Sequence, residues 1–170
     1  MAKTWAAQHA SALASMAAVA ALAGCASLAP GGLPPGTSIA QARQALFGPT
    51  GEYALPEGGT RLEFAHGGRA KQTYMLDFDR GGSLVSSRQV LTESNLSTIA
   101  PGMTEGELRM RFGRPVWVFG VNYPRGQVWN YRFADGDCVW YQVTVGEADH
   151  RVVEASTGPD PACDGSNDRE

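Results

Sequence analysis

PGTSIAQARQALFGP at residues 35–49 and PGMTEGELRMRFGRP at residues 101–115 are two versions of one segment. Each opens on Pro-Gly and then sets a hydroxyl residue three places ahead of an amide or carboxylate, Ser38 before Gln41 and Thr104 before Glu107. That spacing is a capping box, in which side chains and amides at a helix start satisfy one another. Each segment closes on Phe-Gly, and Gly48 or Gly113 can take the left-handed conformation that ends a helix. Counted from the start, the second Phe-Gly pair comes one residue sooner. The chain therefore predicts a short helix at the head of each of two tandem units.

Strand text succeeds each helix. After the first come TRLEFA, QTYMLDFD and SLVSSRQVL, parted by the glycine-rich turns HGGR and RGG. After the second come QVWNYRF, CVWYQVTV and RVVEAS, parted by ADGD and GEADH. Alternating apolar residues between turn signals read as antiparallel strands. Leu62 and Phe64 match Trp129 and Tyr131, and Phe78 matches Val143. LTESNLSTIAPG adds a further short helix at about 93–99. The expected fold class is α+β, two tandem units of one or two helices followed by a three-stranded antiparallel sheet. The divisions expected are 1–24 as a leader, 25–35 as a tether, 36–92 and 93–157 as the two units, and 158–170 as an acidic tail. A unit of about 60 residues is marginal alone, so the two should pack together. Two copies bounded by a tether and a tail do not make a solenoid.

The 170 residues carry 14 basic and 17 acidic side chains, a formal charge of −3. A nucleic-acid binder normally shows a basic surplus, so that class is excluded as a partner. With 21 glycines, 10 prolines and only 18% charged residues, a turn-rich sheet protein fits better than a helical bundle.

Lys3 is the only charge before Cys25, and SALASMAAVAALAG has the length of a signal h-region, short of the roughly 20 apolar residues that a membrane span needs. Leu22-Ala23-Gly24-Cys25 resembles the bacterial lipobox, which implies cleavage before Cys25 and acylation of its thiol. Two or three acyl chains would then anchor the protein stably. Ala26 stands where an aspartate often marks inner-membrane retention, so by analogy the destination is the outer membrane. The alternative is an ordinary cleaved signal with Cys25 incidental. Two further cysteines, Cys138 and Cys163, are either a disulfide or two free thiols in what would be an oxidising compartment.

From Leu91 to Ala155 the chain resembles the small outer-membrane lipoproteins of the β-barrel assembly machinery, the BamE (SmpA/OmlA) family. The residues that carry this are LTESNLSTIAPGMT, FGRP at 112–115, Trp129-x-Tyr131 and VVEA at 152–155. The resemblance implies an ααβββ fold and an accessory role at the periplasmic face of the outer membrane, in contact with other assembly lipoproteins. At fold level the chain is also similar to the tandem β-lactamase-inhibitor proteins. It departs from the first family in having two units where one is usual.

By the same resemblance, the partner-binding surface falls on 114–123 and 129–133. The candidates are Trp117, Phe119, Tyr123, Trp129, Asn130 and Tyr131. Aromatic residues and arginine supply most hot-spot energy, and Trp117, Phe119 and Tyr123 lie between Pro115 and Arg125. The alternative is that they fill the space between helix and sheet, although Val116, Trp117, Val118 and Phe119 cannot all face inward if extended. Trp140, alternating with Val139 and Tyr141, raises the same question.

Catalytic chemistry is not legible. His66 and His150 lie in turns, while Asp77 and Asp79 alternate with Leu76 and Phe78 as a solvent face would. The cysteines lack zinc-site spacing, and Asp135-Gly136-Asp137 is a hairpin turn rather than a calcium loop. No metal, cofactor or small-molecule substrate is expected. The expectation is a non-enzymatic, lipid-anchored binding module docking β-barrel assembly components. A periplasmic inhibitor that occludes an enzyme is the alternative, and a lipoprotein binding peptidoglycan or lipid headgroups is a third.

Overall fold

The computed structural model describes residues 29–65, 71–134 and 136–163. Helix α1 (Ile39–Ala45) precedes strands β1 (Gly51–Ala54), β2 (Thr60–Ala65), β3 (Thr73–Phe78) and β4 (Leu84–Gln89). Then come α2 (Glu93–Leu96), α3 (Glu105–Phe112), β5 (Trp117–Asn122), β6 (Arg125–Tyr131), β7 (Val139–Gly146) and β8 (Val152–Pro159). The strands form two four-stranded antiparallel sheets, β1-β2-β3-β4 and β5-β6-β7-β8.

This corrects the expected α+β units of three strands. The described chain is mostly β, with three short α-helices, and each sheet gains a leading strand. GEYA at β1 is short and opens on glycine, and WVFGVN at β5, although rich in strand formers, is interrupted by Gly120 and lies between two prolines, so it reads as a loop. Pairing with the next strand makes them strands: Glu52 lies opposite Leu62, and Val118 opposite Trp129. The six strands read from alternation are present beside them.

Both capping boxes are formed. Ser38 N donates to Gln41 Oε1 (2.9 Å), and Gln41 N donates back to Ser38 Oγ (3.3 Å). Thr104 N and Glu107 Oε2 (2.7 Å) repeat the pattern, with Glu107 N to Thr104 Oγ1 at 3.2 Å. Each cap is also tied to the turn before its sheet's last strand. Gly36 N donates to Leu84 O (2.9 Å), Leu84 N to Thr37 O (2.9 Å) and Ile39 N to Gly82 O (3.1 Å). Gly102 N to Val152 O (2.8 Å), Val152 N to Met103 O (2.8 Å) and Glu105 N to His150 O (2.9 Å) reproduce these three bonds in the second unit.

The two units can be matched residue by residue. A register shift interrupts β3–β4 at Asp77/Phe78 and β7–β8 at Thr144/Val145. Phe78 therefore corresponds to Val145, and Leu76 rather than Phe78 corresponds to Val143. Through the β2–β3 and β6–β7 registers, Leu62 corresponds to Trp129, Phe64 to Tyr131 and Glu63 to Asn130. The helices match without a gap, so Leu46, not Phe47, is the counterpart of Phe112; both are buried. Phe47 falls where Gly113 stands, and both have positive φ, 60° and 78°.

Alternation gives each sheet an inner face toward its own helix. Leu62, Phe64, Leu76, Phe78 and Leu84 close on Ala42 and Leu46 of α1. Trp129, Tyr131, Val143 and Val145 close on Leu108 and Phe112 of α3. Burying each such side chain contributes about 1.5–3 kcal/mol. Met75 points the other way from sheet β1–β4 and joins the second core. The layers therefore run α1, first sheet, α3, second sheet. Leu33, expected in the tether, is buried in the first core, and Val90 and Leu91 contribute to the second.

Candidate docking face

The outer face of the first sheet, turned away from α1, is polar and covered. Arg61 grips Asp77 through two bonds, Nε to Oδ1 at 2.5 Å and Nη2 to Oδ2 at 2.8 Å, and its Nη1 donates to Met110 O of α3 (2.8 Å). Burial pushes the Asp77 carboxyl up, but Arg61, with Ser86 and Arg88, outweighs it and holds the group below the usual carboxylate range. Asp77, read as solvent-facing, is thus buried, because α3 lies over it.

Beside this pair, Glu63 is fully buried. It accepts from Tyr53 Oη (2.6 Å), Thr50 Oγ1 (2.9 Å) and Arg114 N (3.3 Å). Burial and the Glu63 carboxylate both push the Tyr53 hydroxyl up. Gly113 makes the close approach possible: a Cβ there would lie 2.9 Å from Glu63 Cδ, and its φ of 78° suits glycine.

The corresponding face of the second sheet has no such cover among the described residues. Trp117 pairs with Asn130 and Phe119 with Val128, so both aromatics project on this outer face. They remain 55% and 39% exposed. Asn130, the counterpart of Glu63, is fully buried beneath them. Its Nδ2 donates to Trp117 O (3.2 Å) and Val128 O (3.3 Å), and Gln142 Nε2 donates to its Oδ1 (3.0 Å). Trp140 stands edge-on to Trp117, ring centroids 6.1 Å apart at 89°, with the Arg132 guanidinium 5.9 Å from its ring. The buried Trp140 Nε1–H has no acceptor among the described residues.

The six aromatic and amide candidates thus separate. Trp117 and Phe119 share the open face with Asn130 below. Tyr123 sits in the β5–β6 turn, 97% exposed. Trp129 and Tyr131 belong to the core and offer no surface, because the β6 register turns them toward α3. Arg109 stacks on Trp129 at 4.6 Å, and Tyr131 Oη donates to Gly113 O (3.3 Å). Burial pushes the Tyr131 hydroxyl up. Cys138 and Cys163 are joined as a disulfide with Cα atoms 5.3 Å apart. Next to it Asp160 is buried against Arg132, whose bonds hold its carboxyl low. Cys25 lies outside the described residues, as does His66.

Sequence reading missed the buried polar set Arg61, Glu63 and Asp77 and the exposure of Phe47. The one signal for the former is Met110, set on the opposite flank of α3 from Leu108 and Phe112, so that this helix has something apolar to offer on two sides.

Among the described residues no His, Cys, Asp or Glu cluster could hold a metal ion, and no helix is long and apolar enough to cross a membrane. No protein-family model matches the chain, and no curated protein or solved structure does either.

Proposed function

We propose that this chain is a lipid-anchored binding module of the bacterial envelope, held through Cys25 at the periplasmic side of the outer membrane. Its outer face on β5–β8 docks a protein partner belonging to the β-barrel assembly machinery. The observation that carries this reading is the exposure of Trp117 and Phe119 on a sheet face whose counterpart in the first unit is covered. Large aromatics grouped on an open face have the composition of interface hot spots. The lipobox-like LAGC and the BamE-like run at 91–155 supply the location and the class of partner. A photocrosslinking side chain at position 119 in the full-length protein tests it in intact envelopes. Capture of an assembly component is the expected result, and capture of envelope proteins unrelated to assembly would refute the reading.

The second reading, an inhibitor that occludes an enzyme, draws support from Tyr123 alone, which stands almost fully exposed at a hairpin tip. Inhibition of an envelope hydrolase that is abolished by Tyr123→Ala would favour it.

A further inference from the structure

Three features remain without a role in the monomer. Phe47 is 100% exposed and has φ of 60°, a left-handed conformation unfavourable to a residue with a Cβ. Trp117, 55% exposed, projects from a sheet face that no described residue covers. The indole N–H of Trp140 is buried without an acceptor among the described residues, as is the hydroxyl of Thr73 at the matching position in the first unit. The internal repeat relates all three.

Within the chain, the outer face of the first sheet takes the back of the next unit's helix. The contact uses the last turn of α3 and the two residues beyond it: Met110 O meets Arg61, Gly113 lies against Glu63 and Thr73, and Arg114 N meets Glu63. The counterparts of Met110, Gly113 and Arg114 on α1 are Gln44, Phe47 and Gly48. All three are exposed. The counterparts of Glu63 and Thr73 on the second sheet are Asn130 and Trp140, on the face left open. Among the described residues the chain thus shows both elements of a contact that it makes once internally, an unused helix back at its front and an unused sheet face at its rear, with Val128 and Thr144 where the first sheet has Arg61 and Asp77.

We infer that the outer face of β5–β8 receives the back of α1 from a second copy of this chain, repeating between molecules the contact that joins the two units. Phe47 of one copy lies against Trp117 and Trp140 of the next. The rings are larger than the Gly113, Gly51 and Thr73 side of the internal contact, so the incoming helix stands further from the sheet and ring packs on ring. Gln44, Phe47, Trp117, Phe119 and Trp140, the residues brought together, carry no charge. Because helix meets sheet rather than itself, the contact is head-to-tail and can extend beyond two copies.

The test uses the full-length protein in mild detergent, followed by sedimentation over a concentration series. The expected result is a weight-average mass that rises past that of a dimer. Phe47→Ser and Trp117→Ser are each expected to give monomers, with unchanged near-ultraviolet dichroism as the check on folding. Phe119→Ser replaces Trp117→Ser if the latter fails that check. Mixing the two monomeric variants is expected to restore a one-to-one dimer that grows no further, because one open helix back and one open sheet face remain between them. A monomeric parent overturns the inference, as does a mixture that stays monomeric. So does association that is lost with Trp117→Ser but kept with Phe47→Ser, which would mean edge-to-edge pairing of β5. A second copy and an assembly component would compete for this one face, so a monomeric parent that still captures an assembly component from position 119 overturns this inference and leaves the proposed function standing.

Discussion

Glu63 and Asn130 hold the same place in the two sheets and are both fully buried, but among the described residues only Glu63 is covered by a helix. The difference sets what each is worth. Glu63→Ala leaves Tyr53 Oη and Arg114 N without an acceptor under α3, and unsatisfied buried groups cost about 1–3 kcal/mol each. Asn130→Ala frees groups that lie next to an open face, where water can replace the lost bonds. Urea unfolding is expected to show a loss of about 3 kcal/mol for the first and about 1 kcal/mol for the second. Equal losses would mean that α3 does not seal the first sheet.

Acid should unfold the protein through its paired carboxylates. Asp77 and Asp160 both have folded-state values below the ordinary one. A group depressed in this way adds stability above its unfolded value, about 3.9 for aspartate, and that stability is lost as pH falls toward the folded value. The urea midpoint should be flat above about pH 5 and drop below about pH 4. In Asp160→Asn the drop should be shallower, since one of the depressed carboxylates is gone. A midpoint that rose on acidification would contradict the pairing.

The Cys138–Cys163 bridge spans a sequence separation of 25. Closing a loop of that size is worth about 3 kcal/mol by the chain-entropy estimate. Cys138→Ser with Cys163→Ser should lower unfolding stability by about that amount, and reductant should do the same to the parent. The loss should be accompanied by protease cleavage after β8, because the segment is then held, among the described residues, by the Arg132–Asp160 pair and the bond from Asp160 N to Cys138 O (2.9 Å). Stability unchanged by reductant would show the bridge to be dispensable.

Much of the fold is readable from local signals. The capping boxes at Ser38 and Thr104 and the alternation in TRLEFA or CVWYQVTV fix elements by nearest-neighbour chemistry, and those elements are present. Two strands are hidden because GEYA and WVFGVN become strands only by pairing with β2 and β6. The candidate site divides for the same reason. Trp117 and Trp129 look alike in sequence, and it is the β5–β6 register that turns one outward and the other into the core. The burial of Asp77 depends on α3 arriving from 28 or more residues downstream, and no local pattern encodes that. Phe47 misleads through its neighbour: Phe-Gly looks the same at 47–48 and 112–113, but one extra residue moves the phenylalanine from the helix face to the C-terminal turn.

Because α3 lies between two sheets, the halves of this protein are not independent foldons. Loosening α3 would bare Met75, Glu63 and Asp77 on one side and Trp129 and Tyr131 on the other in a single event. Its amides should therefore exchange with deuterium only as fast as the whole chain opens. A ribosome that has released the first 104 residues has released a sheet with one wet face, and that half becomes native only when the second reaches it.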